Sequence, residues 1–93
     1  MVIGCACVTF RAEWVTSLKE KRMVIKSLME RAKHKFNISI AEVDCQDCHE
    51  TLVIGFACVS NSASHADEMV EKVVRFLENN TDALLQHVEK EIL

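Results

Sequence analysis

The chain contains no proline and no tyrosine, and it has only two glycines among its 93 residues. Its turns must therefore rely on Asn, Asp and Ser. No apolar run approaches the roughly 20 residues that a membrane-spanning helix needs, so we expect no contact with membrane. Hydrophobic residues make up 49% of the chain, which is typical of a globular protein and argues against disorder. This length predicts one small domain that covers residues 1–93.

Cysteine usage and the start of the chain indicate the compartment. The first residues show neither a basic leader nor a cleavage-site pattern. Five cysteines are an odd number, which excludes a complete internal disulfide framework. We therefore expect a reducing, cytoplasmic location, where Cys5, Cys7 and Cys58 fill the core as small hydrophobic residues.

Hydrophobic periodicity predicts four strands and two helices. Thr16 or Ser17 can cap the first helix, which ends near Phe36 and Asn37, and Ser64 with Asp67 resembles a capping box for the second. Asn79 and the polar residues after it end that helix. The four predicted strands are Val2–Phe10, Ile38–Asp44, Thr51–Val59 and Leu84–Ile92.

The order βαββαβ predicts an α+β ferredoxin-like sandwich, in which a four-stranded antiparallel sheet carries two helices on one face. The first and third strands are apolar on both faces and should be central. In the third strand, Val53, Ala57 and Val59 would then lie on the face that no helix covers. An exposed apolar face of this kind favours self-association, so we expect a homodimer, although a long loop could also cover it.

The net charge of −3 conceals a strong asymmetry. The segment Ser17–Lys35 carries a net charge of +5, and the remaining residues carry −8. Four of its basic residues recur at helical spacing on one face, and Lys21, Arg31 and Lys35 widen the positive field. A solvated helix face is one interpretation, and a phosphate-binding surface for nucleic acid is the other. The candidate RNA-binding residues are Lys19, Arg22, Lys26 and Lys33.

Cys45, Cys48 and His49 form a C-x-x-C-H pattern, the spacing that attaches haem c. Haem attachment conflicts with a cytoplasmic location, and a zinc site would need a further ligand from a distant part of the chain. We favour a polar loop with incidental cysteines, and we expect no metal and no cofactor. The acidic residues of the same loop, with His49, could act as acid and base in a small enzyme, but no established catalytic motif accompanies them. These acidic residues are Asp44, Asp47 and Glu50.

The segment Ile54–Val59 partly matches the signature of RNA-recognition motifs, in which aromatic residues of the open sheet stack on bases. Phe56 would supply one stacking surface, but Cys58 occupies the position of the other. Aromatic residues make up only 5% of the chain, so base stacking on the sheet has weak support.

Five segments spread across nearly the whole chain share one resemblance: Ser17–Arg22, Phe36–Asp44, Gln46–Asp47, Val59–Asn61 and Val73–Glu78. Together they resemble the YlxP-like family of small bacterial proteins. This resemblance implies a ferredoxin-like fold and supplies no catalytic residues, because the family has no established activity. Its genes often lie beside translation genes, which implies a ribosome- or RNA-linked role, and its members commonly lack cysteines at positions 45 and 48.

Together these observations favour a non-enzymatic protein that docks on structured RNA or a ribosomal subunit through its first helix. The main alternative is a homodimer that binds proteins or small ligands without touching RNA.

Overall fold

The computed structural model describes all 93 residues and contains one four-stranded antiparallel sheet with the strand order β2-β3-β1-β4. The predicted α+β ferredoxin-like order is confirmed, and β1 and β3 are the central strands. Neither helix is long and apolar enough to cross a membrane. The elements are β1 (Val2–Arg11), α1 (Leu18–Lys35), β2 (Ser39–Asp44), β3 (Thr51–Ser60), α2 (Ala63–Asn79) and β4 (Leu84–Ile92).

Helix α1 begins at one of the two predicted capping residues. The side chain of Ser17 accepts a hydrogen bond from the Glu20 backbone N–H at 3.1 Å. Glu20 Oε1 in turn accepts from the backbone N–H of Thr16 at 2.8 Å. The first bond satisfies a backbone donor that the first turn of the helix leaves free, and the second ties the helix to the residue before the cap, in a variant of the capping box.

The prediction that Ser64 caps α2 is wrong, because the helix begins two residues earlier. Ser62 has extended backbone angles, and its hydroxyl accepts from the His65 backbone N–H at 3.4 Å. Ser64 lies inside the first turn. Asp67, the expected partner in the capping box, instead lies 2.7 Å from Lys90 Nζ on β4.

Both helices cover the same face of the sheet. Val8, Phe10, Leu52 and Ile54 point into this side and are completely buried. Helix α2 approaches the backbone of β1 closely at Gly4, where an added Cβ would lie 3.0 Å from the carbonyl oxygen of Ala66. A larger residue at this position would push the helix away from the sheet.

The other side of the sheet has no covering element, and we call it the open face. Val59 and Val43 are 67% and 50% exposed there, and the side chain of Val43 lies over Gly55. The predicted alternation in β3 is confirmed, since Leu52, Ile54, Phe56 and Cys58 point to the helices and their neighbours to this face. The apolar and small residues of the open face are Ile3, Cys5, Cys7, Thr9, Ala41, Val43, Val53, Gly55, Ala57 and Val59.

Two details of the observed core differ from the prediction. Cys58 is buried as expected, but Cys5 and Cys7 are only half-buried because they point to the open face. A register shift in the pairing of β1 with β4 changes the alternation of β4 near its start. As a result Leu85 packs against the core, while Leu84 is exposed.

Candidate nucleic-acid interface

The four predicted RNA-binding residues lie on α1, and we call them the basic stripe. Their spacing places them on one face of the helix, beside the side that is buried. All four side chains are exposed, and none forms an ion pair or a hydrogen bond with another residue. The members of the stripe are Lys19, Arg22, Lys26 and Lys33.

The two exposed lysines outside α1 have carboxylate partners. Lys72 Nζ lies 2.9 Å from Glu68 Oε1, and hydrogen bonding and charge from Lys72 lower the pKa of Glu68. Lys90 Nζ lies 2.7 Å from both Asp67 and Glu71, and its hydrogen bonds to these two carboxylates raise the pKa of Lys90. The stripe therefore differs from these residues in keeping its full positive charge available to a partner.

Lys21 does not widen the positive field as predicted, because it is buried, with only 1% of its side chain exposed. Its Nζ lies 2.9 Å from Glu42 Oε2 on β2 and donates to the carbonyl oxygen of Cys48 at 2.6 Å. It also donates to the carbonyl oxygen of Cys45. Lys21 thus joins α1 to β2 and to the loop that follows it, and its charge is neutralised locally.

Arg31 and Lys35 remain exposed, but they lie on the side of α1 that faces α2. The Nζ atom of Lys35 lies 5.5 Å from the centroid of the Phe76 ring on α2, within the range of a cation–π contact. Arg31 lines a cleft between α1 and the turn that follows α2. These two cations extend the positive surface toward α2 rather than along the stripe.

Helix α1 has two acidic residues, of which one forms a hydrogen bond in the helix cap and the other has no partner. Glu20 is used in the helix cap. Glu30 is exposed and falls at helical spacing from both Lys26 and Lys33, although it pairs with neither. The exposed surface of α1 therefore remains positive, with one acidic side chain beside the stripe.

The C-x-x-C-H segment lies in the loop between β2 and β3. Cys45 has a left-handed backbone with φ of 53°, and its backbone N–H donates to Asp44 Oδ1 at 2.7 Å. Burial, followed by the charge of Asp44 and the neighbouring Cys48, raises the pKa of the Cys45 thiol. No group of three or more His, Cys, Asp or Glu side chains is arranged to hold a metal ion.

The acidic side chains around this loop make structural contacts. Glu50 Oε2 accepts from Arg11 Nη2 at 2.8 Å, while His49 Nε2 lies 3.8 Å from the other oxygen of Glu50. Asp44 accepts the hydrogen bond from Cys45, and Asp47 is exposed. None of the three main cavities is lined by these residues.

Base stacking on the sheet is contradicted by the direction of the aromatic side chains. Phe56 points to the helix side and is only 4% exposed, and Phe10 is completely buried. The one aromatic residue with a largely exposed side chain is Trp14, at 47%, in the loop between β1 and α1. Sequence reasoning did not assign Trp14 a role, although a tryptophan in a polar loop of a chain this poor in aromatics was a visible signal.

Fold and surface together define a class: a small α+β sandwich with an uncovered sheet face and unpaired cations on its first helix. The chain belongs to the DUF503 family, described as a protein of unknown function, whose model matches residues 3–90. It is similar to the uncharacterized protein YlxP of Bacillus subtilis (strain 168), with 36% identity over 75 residues that cover 81% of this chain and 78% of the relative. The predicted YlxP-like family is therefore confirmed.

Proposed function

We propose that this protein is a non-enzymatic binding protein that docks on structured RNA, such as that of a ribosomal subunit, through the basic stripe of α1. The unpaired state of Lys19, Arg22, Lys26 and Lys33 is the observation that supports it most strongly. Cations without an internal partner release counterions when they meet phosphates, which is the main source of affinity for nucleic acid. A cytoplasmic location, where ribosomes are found, is part of the proposal.

The charge distribution of the whole chain supports docking in one orientation. The chain carries a net charge of −3, so most of its surface is repelled by RNA. A positive helix on an otherwise acidic protein directs the encounter to that helix, and phosphate contacts fix the position without reading the base sequence. This arrangement suits an RNA that is recognised by its shape.

We further propose that the open face binds a second copy of the chain. Most of its residues on β1, β2 and β3 are small or apolar, and both helices lie on the opposite side of the sheet, so no helix or strand covers it. A two-fold interface through this face would leave the basic stripe of each protomer exposed. A protein-interaction dimer that never touches RNA is the alternative, and the open face favours it equally.

The test compares charge reversals on the two helices. We expect Lys19→Glu/Lys26→Glu to weaken binding to purified ribosomal subunits and to a ribosomal-RNA hairpin by at least about tenfold at low salt, because two phosphate contacts become repulsive. The matched control is Lys72→Glu/Arg75→Glu, which makes the same change in charge on α2, where both side chains are exposed.

Three outcomes would count against the proposal. If the wild-type protein binds neither probe at low salt, RNA docking is wrong, and a dimer without RNA contact is the remaining candidate. If both double variants lose affinity equally, the binding is non-specific and the stripe is not the site. If neither loses affinity, contact with phosphates does not involve these residues.

A further inference from the structure

A cleft separates α1 from the turn that joins α2 to β4. It is open to solvent and has a volume of about 540 Å³. Backbone contacts fix its far wall, since Asn80 Nδ2 donates to the carbonyl oxygen of Phe76 at 2.8 Å and Thr81 Oγ1 accepts from the Ala83 backbone N–H at 3.1 Å. The residues whose side chains are available in the cleft are Trp14, Met23, Ser27, Arg31, Asn79 and Asp82.

The available polar side chains of the cleft form no ion pair and no hydrogen bond within the fold. Trp14 is half-exposed, and its ring is not stacked on another aromatic ring. Arg31, Asn79 and Asp82 are exposed, and none takes part in an ion pair or a side-chain hydrogen bond. Arg31 and Asp82 line the same cleft without pairing, so it offers an unused cation and an unused acceptor beside a flat aromatic surface.

We propose that this cleft binds one unpaired nucleotide of an RNA strand. The base stacks on the indole ring of Trp14, Asn79 and Asp82 meet its hydrogen-bonding edge, and Arg31 contacts the adjoining phosphate. Proteins recognise unpaired bases in this way, by aromatic stacking with hydrogen bonds to the exposed edge. The inference rests on the proposed function, because it names the part of the RNA that contacts this side of α1.

The cleft and the basic stripe lie on different flanks of α1. Arg31 follows Lys26 by five residues, which corresponds to a rotation of roughly 140° around the helix. The stripe is suited to the phosphates of a duplex, whereas the cleft can receive only a base that has left its helix. Binding at both would position the protein where a duplex meets a loop or bulge.

Trp14 supplies a direct signal for the test, because the chain has one tryptophan and no tyrosine. The probes are short oligoadenylate and oligouridylate strands, the mononucleotide AMP, and a blunt RNA duplex. We expect at least one single strand to quench Trp14 fluorescence with saturation, AMP to do so only at much higher concentration, and the duplex to bind without quenching.

Variants of the cleft test the assigned contacts. Trp14→Ala should weaken binding of a fluorescently labelled single strand by about fivefold or more, given the usual contribution of one stacked base, and leave duplex binding unchanged. Arg31→Gln retains the fluorescent residue and should also weaken single-strand binding. Its matched control is Arg75→Gln, which removes an exposed, unpaired arginine of α2 that does not line this cleft.

The outcomes separate this inference from the function on which it rests. If the ribosomal-RNA hairpin binds but no single strand changes the fluorescence, the cleft is not a nucleotide site and RNA docking stands. Quenching by AMP at concentrations as low as those of the strands would contradict binding of an RNA strand and indicate a free nucleotide. Equal losses in Arg31→Gln and Arg75→Gln would also overturn the assignment.

Discussion

The two broad sides of this molecule differ in the chemistry they leave unsatisfied. On the helix side, the apolar residues of the sheet are buried beneath α1 and α2, and the exposed surface of α1 carries unpaired positive charge. On the open face, small apolar side chains remain half-exposed, and the acidic residues Glu89 and Glu91 lie beside them on β4. The surface of α1 is suited to phosphates, whereas the open face is suited to a protein surface.

Within α1, two lysines differ in whether they have a partner in the fold. Lys21 and Lys19 are two residues apart, yet Lys21 is buried against Glu42 and Lys19 is exposed without a partner. The same residue type therefore stabilises the fold at one position and remains free for a ligand at the other. Mutations that separate these roles are the best way to test the account.

The largest effect on stability is expected at Lys21. Lys21→Met leaves the Glu42 carboxylate without its cation, and we expect it to lower the free energy of unfolding by about 3 kcal/mol, as for other broken buried ion pairs. Adding Glu42→Leu should recover part of this loss, because the stranded charge is then removed. Urea unfolding followed by circular dichroism provides the measurement.

The matched control is Lys26→Met, at an exposed position of the same helix. Because its side chain has no partner, we expect a change within about 0.5 kcal/mol. Equal destabilisation by the two substitutions would mean that the buried ion pair of Lys21 contributes nothing particular to the fold.

A smaller effect is expected for association through the open face. Ala57→Glu places a carboxylate in the centre of this face, and desolvating it should weaken the dimer by about 2 kcal/mol or more, roughly 30-fold in the dissociation constant. Ala63→Glu makes the same change at an exposed position in the first turn of α2 and should leave association unchanged. Sedimentation equilibrium at micromolar concentration measures both.

A monomeric wild-type protein under those conditions would contradict the dimer. The same holds if Ala57→Glu, while remaining folded, associates as strongly as the wild type, since a charge in the centre of the interface could not be tolerated.

The smallest effect concerns the thiol of Cys7 on the open face. Burial raises its pKa, and the charges of Glu89 and Asp44 add to the shift. Its alkylation should therefore reach half-maximal rate at higher pH in the folded protein than in the chain unfolded by urea. Glu89→Gln should lower that midpoint, whereas Glu91→Gln, opposite Cys5, should not.

Peptide mapping by mass spectrometry after alkylation with iodoacetamide follows Cys7 specifically, in protein diluted until it is monomeric. Identical midpoints for the folded and unfolded chain would show that the thiol does not experience the burial and the acidic neighbours described here.

Hydrophobic periodicity predicted the strand order and the central position of β1 and β3. It also predicted the two faces of β3, because alternate side chains of a strand point to opposite sides of the sheet. It also placed the basic stripe, since helical spacing fixes a face. Helical spacing also groups Lys21 with Leu18 and Ile25, but it could not identify the partners that allow its burial, because β2 and the loop after it bring Glu42 and two carbonyl groups to its ammonium group. The cleft beside Trp14 likewise depends on how the turn after α2 approaches α1, which no local pattern encodes.

The salt dependence of RNA binding tests the central claim most directly. For a ribosomal-RNA hairpin, contact with four phosphates predicts that the logarithm of the association constant falls with the logarithm of salt concentration at a slope of roughly −3 to −4. Lys19→Gln/Lys26→Gln should make that slope shallower by about two, while Lys72→Gln/Arg75→Gln should leave it unchanged. A slope in the wild type that neither pair of substitutions changes, or one near zero, would contradict the assignment of the basic stripe as the RNA-binding surface.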